Sequence, residues 1–321
     1  MKLIVQIPCF NEEETLPQTV ADIPRDIPGI DVVEVMIIDD GSSDRTIEVA
    51  KEIGVDHIVR HIANRGLART FRTGLDAAVR LGADIVVNTD GDNQYSGADI
   101  PKLVAPILER NAQIVVGDRQ TDTIEHFSGF KKFLQRFGSG VVRRLSETDV
   151  TDTVSGFRAF SRDAALQLNI VSPFSYTIET VIQAGKKGIA ISSVPIGTNA
   201  KTRESRLFKS VPDFVKNSGA TIVRMYSMYQ PLRVFFFISL ALVLIGLLPV
   251  IRFLFFYLQG DGSGHIQSLI LGGVLLIAGC LAAMIGLVAD LISFNRQLIE
   301  LTLEKVRRIE LILEPEERKS N

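Results

Sequence analysis

The sequence has no tryptophan, only two cysteines and almost no excess of charge of either sign, with 35 Lys and Arg residues against 37 Asp and Glu residues. A nucleic-acid-binding protein usually carries a basic excess, so we expect no nucleic-acid partner. Cys9 lies in a polar region and Cys280 in a long apolar run. A bridge between two such regions is not expected, and the chain is typical of a reducing compartment.

The common phosphate-binding motifs are absent as well. The sequence contains no G-x-x-x-x-G-K-[ST], and no G-x-G-x-x-G follows a strand-like segment. The glycine cluster at 260–264 falls between two apolar segments instead. These absences argue against a P-loop enzyme and against a dinucleotide-dependent oxidoreductase.

Two apolar runs predict a membrane hairpin. Val234 to Ile251 gives 18 residues without a charge, and Leu269 to Ala289 gives 21. A bilayer core of about 30 Å is crossed by about 20 such residues. We therefore expect transmembrane helices over about 232–258 and 268–294, a basic amphipathic interface segment over 201–231 and an amphipathic tail over 295–321. A short heptad pattern in the tail would allow a homo-oligomer.

The distribution of Lys and Arg predicts the orientation of this hairpin. The loop Gln259 to Ser268 contains neither residue, whereas the segments before and after the hairpin contain many. By the positive-inside rule, both termini and the first domain are expected on the cytoplasmic side of the cell's inner (plasma) membrane, in a multi-pass protein. The apolar stretch before Pro8 is too short for a signal peptide.

Residues 1–200 alternate short β-rich runs with helical patterns. Strands are expected at Leu3 to Pro8, Val33 to Asp39, His57 to His61, Ile85 to Thr89 and Ile114 to Gly117. This alternation predicts an α/β domain with a mostly parallel sheet, in which ligands bind at the carboxyl ends of the strands. Polar clusters follow the first four strands, which places a candidate site at that edge.

The cluster after the fourth strand holds Asp90, Asp92 and Gln94. In an extended segment, residues spaced by two point to one side, so their oxygens would converge. Two carboxylates repel each other unless a cation lies between them. Hard oxygen ligands suit Mg²⁺ or Mn²⁺, whose coordination shell is often completed by substrate phosphates. The sequence therefore predicts a divalent metal that binds a nucleoside diphosphate.

Six segments, in order, resemble the motifs of the family 2 glycosyltransferases. They are IPCFNEEETL, VMIIDDGSSDRT, NRGLARTFRTGLDAA, VNTDGDNQY, DTVSGFRAF and SYTIETVIQAGKKG, and they extend over about the first 200 residues. NRGLARTF together with a C-terminal two-helix hairpin is similar to the polyisoprenyl-phosphate glycosyltransferases, the group of bactoprenol glucosyltransferase and dolichol-phosphate mannosyltransferase.

This resemblance implies a GT-A, Rossmann-like nucleotide-sugar domain over 1–200. It implies inverting transfer of a sugar, with glucose from a UDP-linked donor as the first expectation, to undecaprenyl or another polyisoprenyl phosphate. The implied nucleotide-sugar contacts are Pro8, Asn11, Glu12, Asp39, Gly66, Arg69 and Glu179. Asp90, Asp92 and Gln94 match the metal motif, with Asp90, Asp92, Asp152 and Arg203 as catalytic residues. The implied acceptor-phosphate contacts are Arg119, Lys131, Arg203 and Arg206.

Two of these residues have alternative interpretations. Asp152 could position the sugar or act as a base, yet its segment also suits a turn followed by an edge strand. Glu179 lies on a predicted helix that otherwise faces the core, and a buried carboxylate needs a partner, which favours sugar binding.

Other functions also fit parts of the sequence. A transferase of mannose from a GDP-linked donor would use the same fold. A processive polysaccharide synthase is disfavoured, because the sequence lacks the Gln-x-x-Arg-Trp motif of such enzymes. A non-catalytic membrane sensor of sugar nucleotides would be expected to have lost at least one of Asp90, Asp92, Gln94 and Arg203.

Overall fold

The computed structural model describes residues 1–120, 129–172, 176–199, 211–260 and 263–320, with the backbone alone for 129–137, 211–218 and 314–320. Two compact units result. The first comprises Met1–Ile222 with Leu303–Asn321, and the second comprises Val223–Thr302.

A seven-stranded sheet forms the centre of the first unit. Its strands are β1 (Lys2–Cys9), β2 (Val32–Asp39), β3 (His57–Arg60), β4 (Ile85–Asn88), β5 (Ile114–Asp118), β6 (Arg158–Ser161) and β7 (Ile191–Pro195). The spatial order is β3-β2-β1-β4-β6-β5-β7, and every neighbouring pair is parallel except the two pairs that involve β6. The expected α/β fold with a mostly parallel sheet is confirmed.

In the described part of the chain, ten helices accompany this sheet. Some of them cover its two faces, and the last three follow the final strand. The helices are α1 (Leu16–Ala21), α2 (Thr46–Glu52), α3 (Leu67–Arg80), α4 (Ile100–Leu108), α5 (Gly129–Ser146), α6 (Arg162–Gln167), α7 (Tyr176–Lys187), α8 (Val211–Tyr229), α9 (Pro231–Leu258) and α10 (Ile266–Ser320). Short 3-10 turns precede α4 at Gly97–Asp99 and α10 at Ser263–His265.

The period-two alternation of β1 divides the core into two layers. Leu3, Val5 and Ile7 are fully buried in one cluster, together with residues of α1 and α4. Ile4 is fully buried in the other, together with residues of α3, α6 and α7. When helices cover both faces of a sheet, the side chains on both sides of its strands are apolar. The run from Leu3 to Ile7 follows this pattern, with Gln6 as the one polar residue.

The strand β6 corrects one expectation. The segment after Asp152 is not followed by an edge strand, because β6 pairs antiparallel with β4 on one side and with β5 on the other. Its Ala159 and Phe160 are fully buried, one in each core layer. This central position brings the segment that precedes β6 to the carboxyl end of β4.

The C-terminal part of α10 packs on the sheet domain within the first unit. Arg307 donates to the carbonyl oxygens of Leu166 (3.2 Å) and Leu168 (3.1 Å), at the end of α6. It also lies 3.7 Å from a carboxylate oxygen of Asp76 on α3. Arg308 pairs with Asp163 of α6 at 2.9 Å. Residues Leu303–Asn321 are therefore grouped with the sheet domain in the first unit.

Glycines set the contact between α9 and α10 in the second unit. Gly272, Gly279 and Gly286 recur every seven residues along α10. A Cβ at Gly279 would lie 2.8 Å from a methyl carbon of Val243, and one at Gly286 would lie 2.8 Å from the Cβ of Phe235. Small residues such as glycine allow two helices to approach this closely, and they are common where helices pack together within membranes. Pro231–Leu258 and Ser263–Leu313 are, among the described residues, the helices long and apolar enough to cross a membrane.

Replacement of Arg307 by Ala is expected to lower the free energy of unfolding by about 2 kcal/mol, because two hydrogen bonds from a charged donor to helix-end carbonyls are lost. The measurement is chemical unfolding of the detergent-purified chain, followed by circular dichroism. Arg144→Ala, which removes an exposed guanidinium from α5, is the matched control and should change stability by less than about 0.5 kcal/mol. Equal stability of the Arg307 variant and the control would contradict the docking of α10.

Candidate active site

The loops that follow β1 and β2 are joined by hydrogen bonds from side chain to backbone. The backbone N–H of Asn11 donates to Ser42 Oγ at 2.9 Å, and Asn11 Oδ1 accepts from the N–H of Ser43 at 2.8 Å. Asn11 has a φ of 58°, a left-handed conformation that asparagine tolerates better than most residues. The backbone N–H of Glu12 donates to Thr46 Oγ1 at 2.8 Å. These bonds hold the two loops side by side at one edge of the sheet.

Pro8 fits this edge because the ladder between β1 and β4 ends before it, at the pair Gln6 and Asn88. The ring nitrogen of proline cannot donate, and there is no β4 residue left to receive a bond. Glu12 is 6% exposed and accepts a hydrogen bond from Thr15 Oγ1 at 2.9 Å. Both residues were predicted to contact the nucleotide sugar, and both lie in or beside the loop after β1.

The two aspartates at the end of β2 hold different segments. Asp39 is fully buried and accepts from the N–H of Ser42 at 3.1 Å. Asp40, which the sequence analysis did not single out, accepts from the N–H groups of Arg65 at 2.9 Å and Gly66 at 2.8 Å. It also lies 2.8 Å from Nδ1 of His61. Asp40 therefore fixes the loop between β3 and α3, and the doubled aspartate after a buried strand was the available signal.

Gly66 precedes α3 with a φ of 86°, which only glycine adopts readily. Arg69, in the first turn of this helix, is exposed. The helix runs over 14 residues from this edge of the sheet. Its N-terminal backbone groups carry partial positive charge, which suits an anionic ligand near Gly66 and Arg69.

The segment after β4 is a turn rather than the extended strand assumed from the sequence. The turn covers Gly91 to Asn93, Asn93 has a φ of 55°, and the N–H of Gln94 donates to an oxygen of Asp92 at 3.2 Å. Asp90, Asp92 and Gln94 are half-buried, whereas Gly91 and Asn93 are buried. The three predicted metal ligands thus lie at partly accessible positions in and beside one turn, and the extended conformation from which their convergence was predicted is not observed.

A glycine from the segment before β6 lies against this turn. A Cβ at Gly156 would be 3.1 Å from both carboxylate oxygens of Asp90 and 3.1 Å from the hydroxyl of Tyr176. The carbonyl oxygen of Gly156 accepts from Asn88 Nδ2 at 2.9 Å, and its N–H donates to the hydroxyl of Tyr95 at 3.1 Å. Gly156 allows the two segments to touch, a role that the sequence analysis missed.

The donor set at the turn suits a hard divalent cation. Two carboxylates and one amide oxygen are partly accessible, and the side-chain oxygen of the buried Asn93 has no hydrogen-bond partner. The described residues contain no group of three or more His, Cys, Asp and Glu that could hold a metal. A cation at this turn would therefore rely on ligands from a bound substrate, which is the usual mode for Mg²⁺.

Asp152 and Arg119 form a two-pronged ion pair. Nε of Arg119 donates to one carboxylate oxygen at 2.7 Å and Nη2 donates to the other at 3.0 Å. Burial raises the pKa of Asp152, but the adjacent guanidinium outweighs burial and the net pKa lies below the ordinary value. Asp152 is 2% exposed. A carboxylate so held is a weak proton acceptor, which favours the positioning alternative over a general base.

Glu179 lies on α7 and is fully buried. Its carboxylate oxygens accept from the N–H of Val171 at 3.0 Å and of Ser172 at 2.9 Å. The buried carboxylate thus has backbone partners in the loop before α7. Sugar binding by Glu179 stays a prediction.

Three of the predicted acceptor contacts involve side chains outside the described part of the structure. Arg203 and Arg206 lie outside the described residues, as does the side chain of Lys131, whose backbone belongs to α5. Their predicted roles stay predictions.

Comparison with known proteins identifies the class of this α/β domain. The chain belongs to the glycosyl transferase family 2, whose model matches residues 4–168. It is an enzyme of the glycosyltransferase class, in the group that includes polyprenyl-phosphate transferases.

Two of the similar relatives and one of the similar solved structures illustrate this class. A UDP-N-acetylglucosamine–dolichyl-phosphate N-acetylglucosaminyltransferase of Methanococcus voltae is 31% identical over 217 residues, which cover 60% of this chain and 83% of the relative. An undecaprenyl-phosphate mannosyltransferase of Micrococcus luteus is 25% identical over 206 residues, or 61% and 83% of the two chains. Glucosyl-3-phosphoglycerate synthase of Mycobacterium tuberculosis, crystallised with UDP, is 23% identical with a TM-score of 0.57 over 70% and 80% of the chains. The similarity to the synthase shows that the two proteins share a fold. Other crystals of that synthase contain Mn²⁺ or Mg²⁺ with UDP.

Asp152→Asn is expected to lower the free energy of unfolding at pH 7 by about 3 kcal/mol, because the Arg119 charge loses its partner. The pKa of Asp152 is lower in the folded than in the unfolded chain, so its contribution is present above the unfolded value of about 3.9 and is lost as pH falls through the folded value. Chemical unfolding between pH 7 and pH 3 measures this dependence.

The matched control is Asp149→Asn, an exposed aspartate three residues away. It should leave stability within about 0.5 kcal/mol of the wild type. The ion pair would be contradicted if the difference in free energy of unfolding between the wild type and the Asp152 variant stayed constant down to pH 3.

Proposed function

We propose that this protein transfers one sugar, with inversion, from a nucleotide diphosphate sugar to the phosphate of a polyprenyl lipid at the cytoplasmic face of a membrane. The observation that carries the proposal is the turn with Asp90 and Asp92 at the carboxyl end of β4, in a family 2 domain that is continuous with two apolar helices. The relatives from Methanococcus and Micrococcus, whose names specify polyprenyl-phosphate acceptors, support the acceptor class.

Asp90 and Asp92, with Gln94 beside them, would hold Mg²⁺ or Mn²⁺. The metal would stabilise the negative charge that develops on the departing nucleoside diphosphate. The half-buried carboxylates would face that diphosphate, while Asn11, Asp39 and the start of α3 would surround the nucleoside. The protein's part in this half of the site is to bind and orient the donor.

The acceptor needs little activation. A phosphate monoester has a second pKa near 6, so it is largely a dianion at pH 7. One phosphate oxygen would attack the anomeric carbon as the bond from that carbon to the diphosphate breaks, and no proton must be removed from the acceptor. This fits an Asp152 that is bound to Arg119 rather than poised as a base. Arg119, and Arg203 and Arg206 from the basic segment, would orient the acceptor phosphate.

The sugar is the finer part of the proposal. Glucose from UDP-glucose is the first expectation, with mannose from GDP-mannose as the alternative. The two relatives differ in this respect, since one name specifies N-acetylglucosamine and the other mannose. The donor therefore has to be found by experiment.

The test is transfer of radiolabel from UDP-glucose, UDP-N-acetylglucosamine and GDP-mannose to undecaprenyl phosphate by the purified chain in detergent, with Mg²⁺, Mn²⁺ or EDTA. We expect labelled lipid from one donor and none with EDTA. Asp92→Asn should lower kcat by roughly 100-fold, because a ligand of the charge-stabilising cation is lost. The exposed Glu109, at the end of α4, supplies the control Glu109→Gln, which should retain full activity.

Saturable nucleotide-sugar binding without labelled lipid from any donor would overturn the proposed transfer and favour a sugar-nucleotide sensor. Long polysaccharide instead of labelled lipid would favour a processive synthase. Transfer that is insensitive to EDTA would contradict the role given to Asp90 and Asp92.

The same proposal places both ends of the chain in the cytoplasm. In a cysteine-free background, Ser268→Cys should react with a membrane-impermeant maleimide in intact cells, because Ser268 is the last residue of the loop that lacks Lys and Arg. Ser320→Cys should react only after the membrane is permeabilised. The reverse pattern of labelling would contradict the orientation.

A further inference from the structure

Arg158 is a fully buried arginine at the start of the central strand β6. Its guanidinium donates to the carbonyl oxygens of Thr153 (Nη2, 2.9 Å), Ser155 (Nε, 2.8 Å) and Thr177 (Nη1, 2.7 Å). Nη1 also contacts Oγ1 of Thr180. One planar group thus ties the segment before β6 to the first turns of α7.

The guanidinium group of Arg158 is hydrogen-bonded to neutral oxygen atoms. Within the described part of the chain, no carboxylate lies within ion-pair distance of Arg158, and the nearby Asp152 is bound by Arg119. Burial lowers the pKa of Arg158 to about 10, so the group remains charged at pH 7. A buried charge without an ionic partner is costly unless hydrogen bonds satisfy it. Its position therefore depends on the three carbonyl groups that it holds.

The segment that Arg158 binds leads directly into Gly156, which lies beside the carboxylate of Asp90. Thr153 and Ser155 are separated from Gly156 by at most two residues, and a Cβ added at Gly156 would lie 3.1 Å from both carboxylate oxygens of Asp90. Gly156 has backbone bonds to Asn88 and Tyr95, which also lie beside the turn. A shift of this segment by a fraction of an ångström would change the space open to the carboxylate.

We propose that Arg158 is a positioning residue for Asp90. It acts through the segment Thr153 to Gly156, which forms the wall against which the Asp90 carboxylate is oriented towards the cation and the diphosphate. Arg158 itself touches neither substrate nor metal. The inference rests on the proposed function, because it assigns Asp90 to a divalent cation.

The first test compares Arg158→Lys with Arg158→Met. Lysine keeps the charge but cannot span three carbonyl groups with a planar fork. Both variants should therefore bind Mn²⁺, in the presence of UDP, about 10-fold to 100-fold more weakly than wild type, as measured by electron paramagnetic resonance of the free ion. In the transfer assay kcat should fall by a similar factor, with a smaller change in the KM for the donor.

Phe160→Leu is the matched control. Phe160 lies two residues along β6, on the same face and equally buried, and its ring packs edge-on against Phe71 in the apolar layer. It should lower thermal stability while it leaves Mn²⁺ affinity and kcat within about threefold of wild type at a temperature where the chain is folded. Loss of metal affinity in this control would reduce Arg158 to a general stabilising residue and overturn the proposal.

Gly156→Ala tests the same wall without any change at Arg158. The backbone of Gly156 is not in the left-handed region, so the strain of the variant comes from the added methyl group at 3.1 Å from both Asp90 oxygens. We expect weaker Mn²⁺ binding, again by about 10-fold, with circular dichroism unchanged. This variant keeps the inference testable if the Arg158 variants fail to fold.

Wild-type Mn²⁺ affinity in Gly156→Ala, or in a folded Arg158→Lys, would overturn the positioning role. If the wild type binds Mn²⁺ and UDP but transfers no sugar, the proposed function fails while the binding measurements still decide the role of Arg158. A wild type that binds no Mn²⁺ with either UDP or GDP would overturn both.

Discussion

The insertion of β6 between β4 and β5 is the constraint on which the candidate site depends. Parallel strands β1, β2 and β4 bring their carboxyl ends to one edge, and the loops there could fold in many ways. The antiparallel β6 begins at that same edge, because it runs in the opposite direction. The segment before it is thereby delivered to the turn at Asp90, where Gly156 and the buried Arg158 give the turn a fixed wall.

The carboxylates at this edge fall into two groups by their burial. Asp39, Asp40, Asp152 and Glu179 are buried, and each accepts hydrogen bonds that hold a loop or an arginine in place. Asp90 and Asp92 are half-buried and lie at partly accessible positions in and beside their turn. These hydrogen bonds hold the loops in place, which prepares the site before a ligand arrives. The proposed role in binding the cation therefore falls to Asp90 and Asp92, and the proposed reaction requires no strong general base.

Much of this arrangement was predictable from sequence. Five of the six parallel strands that the structure describes, β1 to β5, follow from apolar runs bounded by turn residues, and the two apolar helices follow from their length. The central position of β6 was not predictable, because strand order depends on long-range pairing and Phe-Arg-Ala-Phe looks like an edge strand with one polar face. The burial of Arg158 was missed for the same reason, since a charged residue in a strand usually marks the solvent side. The pairing of Asp152 with Arg119 joins residues 33 positions apart, which no local pattern reveals.

The central claim is that the turn after β4 binds the cation that carries the donor diphosphate. It is tested most directly by the anomalous scattering of Mn²⁺ in crystals of the full chain grown with UDP. The account predicts one strong peak within coordination distance of a carboxylate oxygen of Asp90 or Asp92, with the UDP diphosphate completing the shell. A UDP-bound structure whose Mn²⁺ peak lies away from both residues would contradict it.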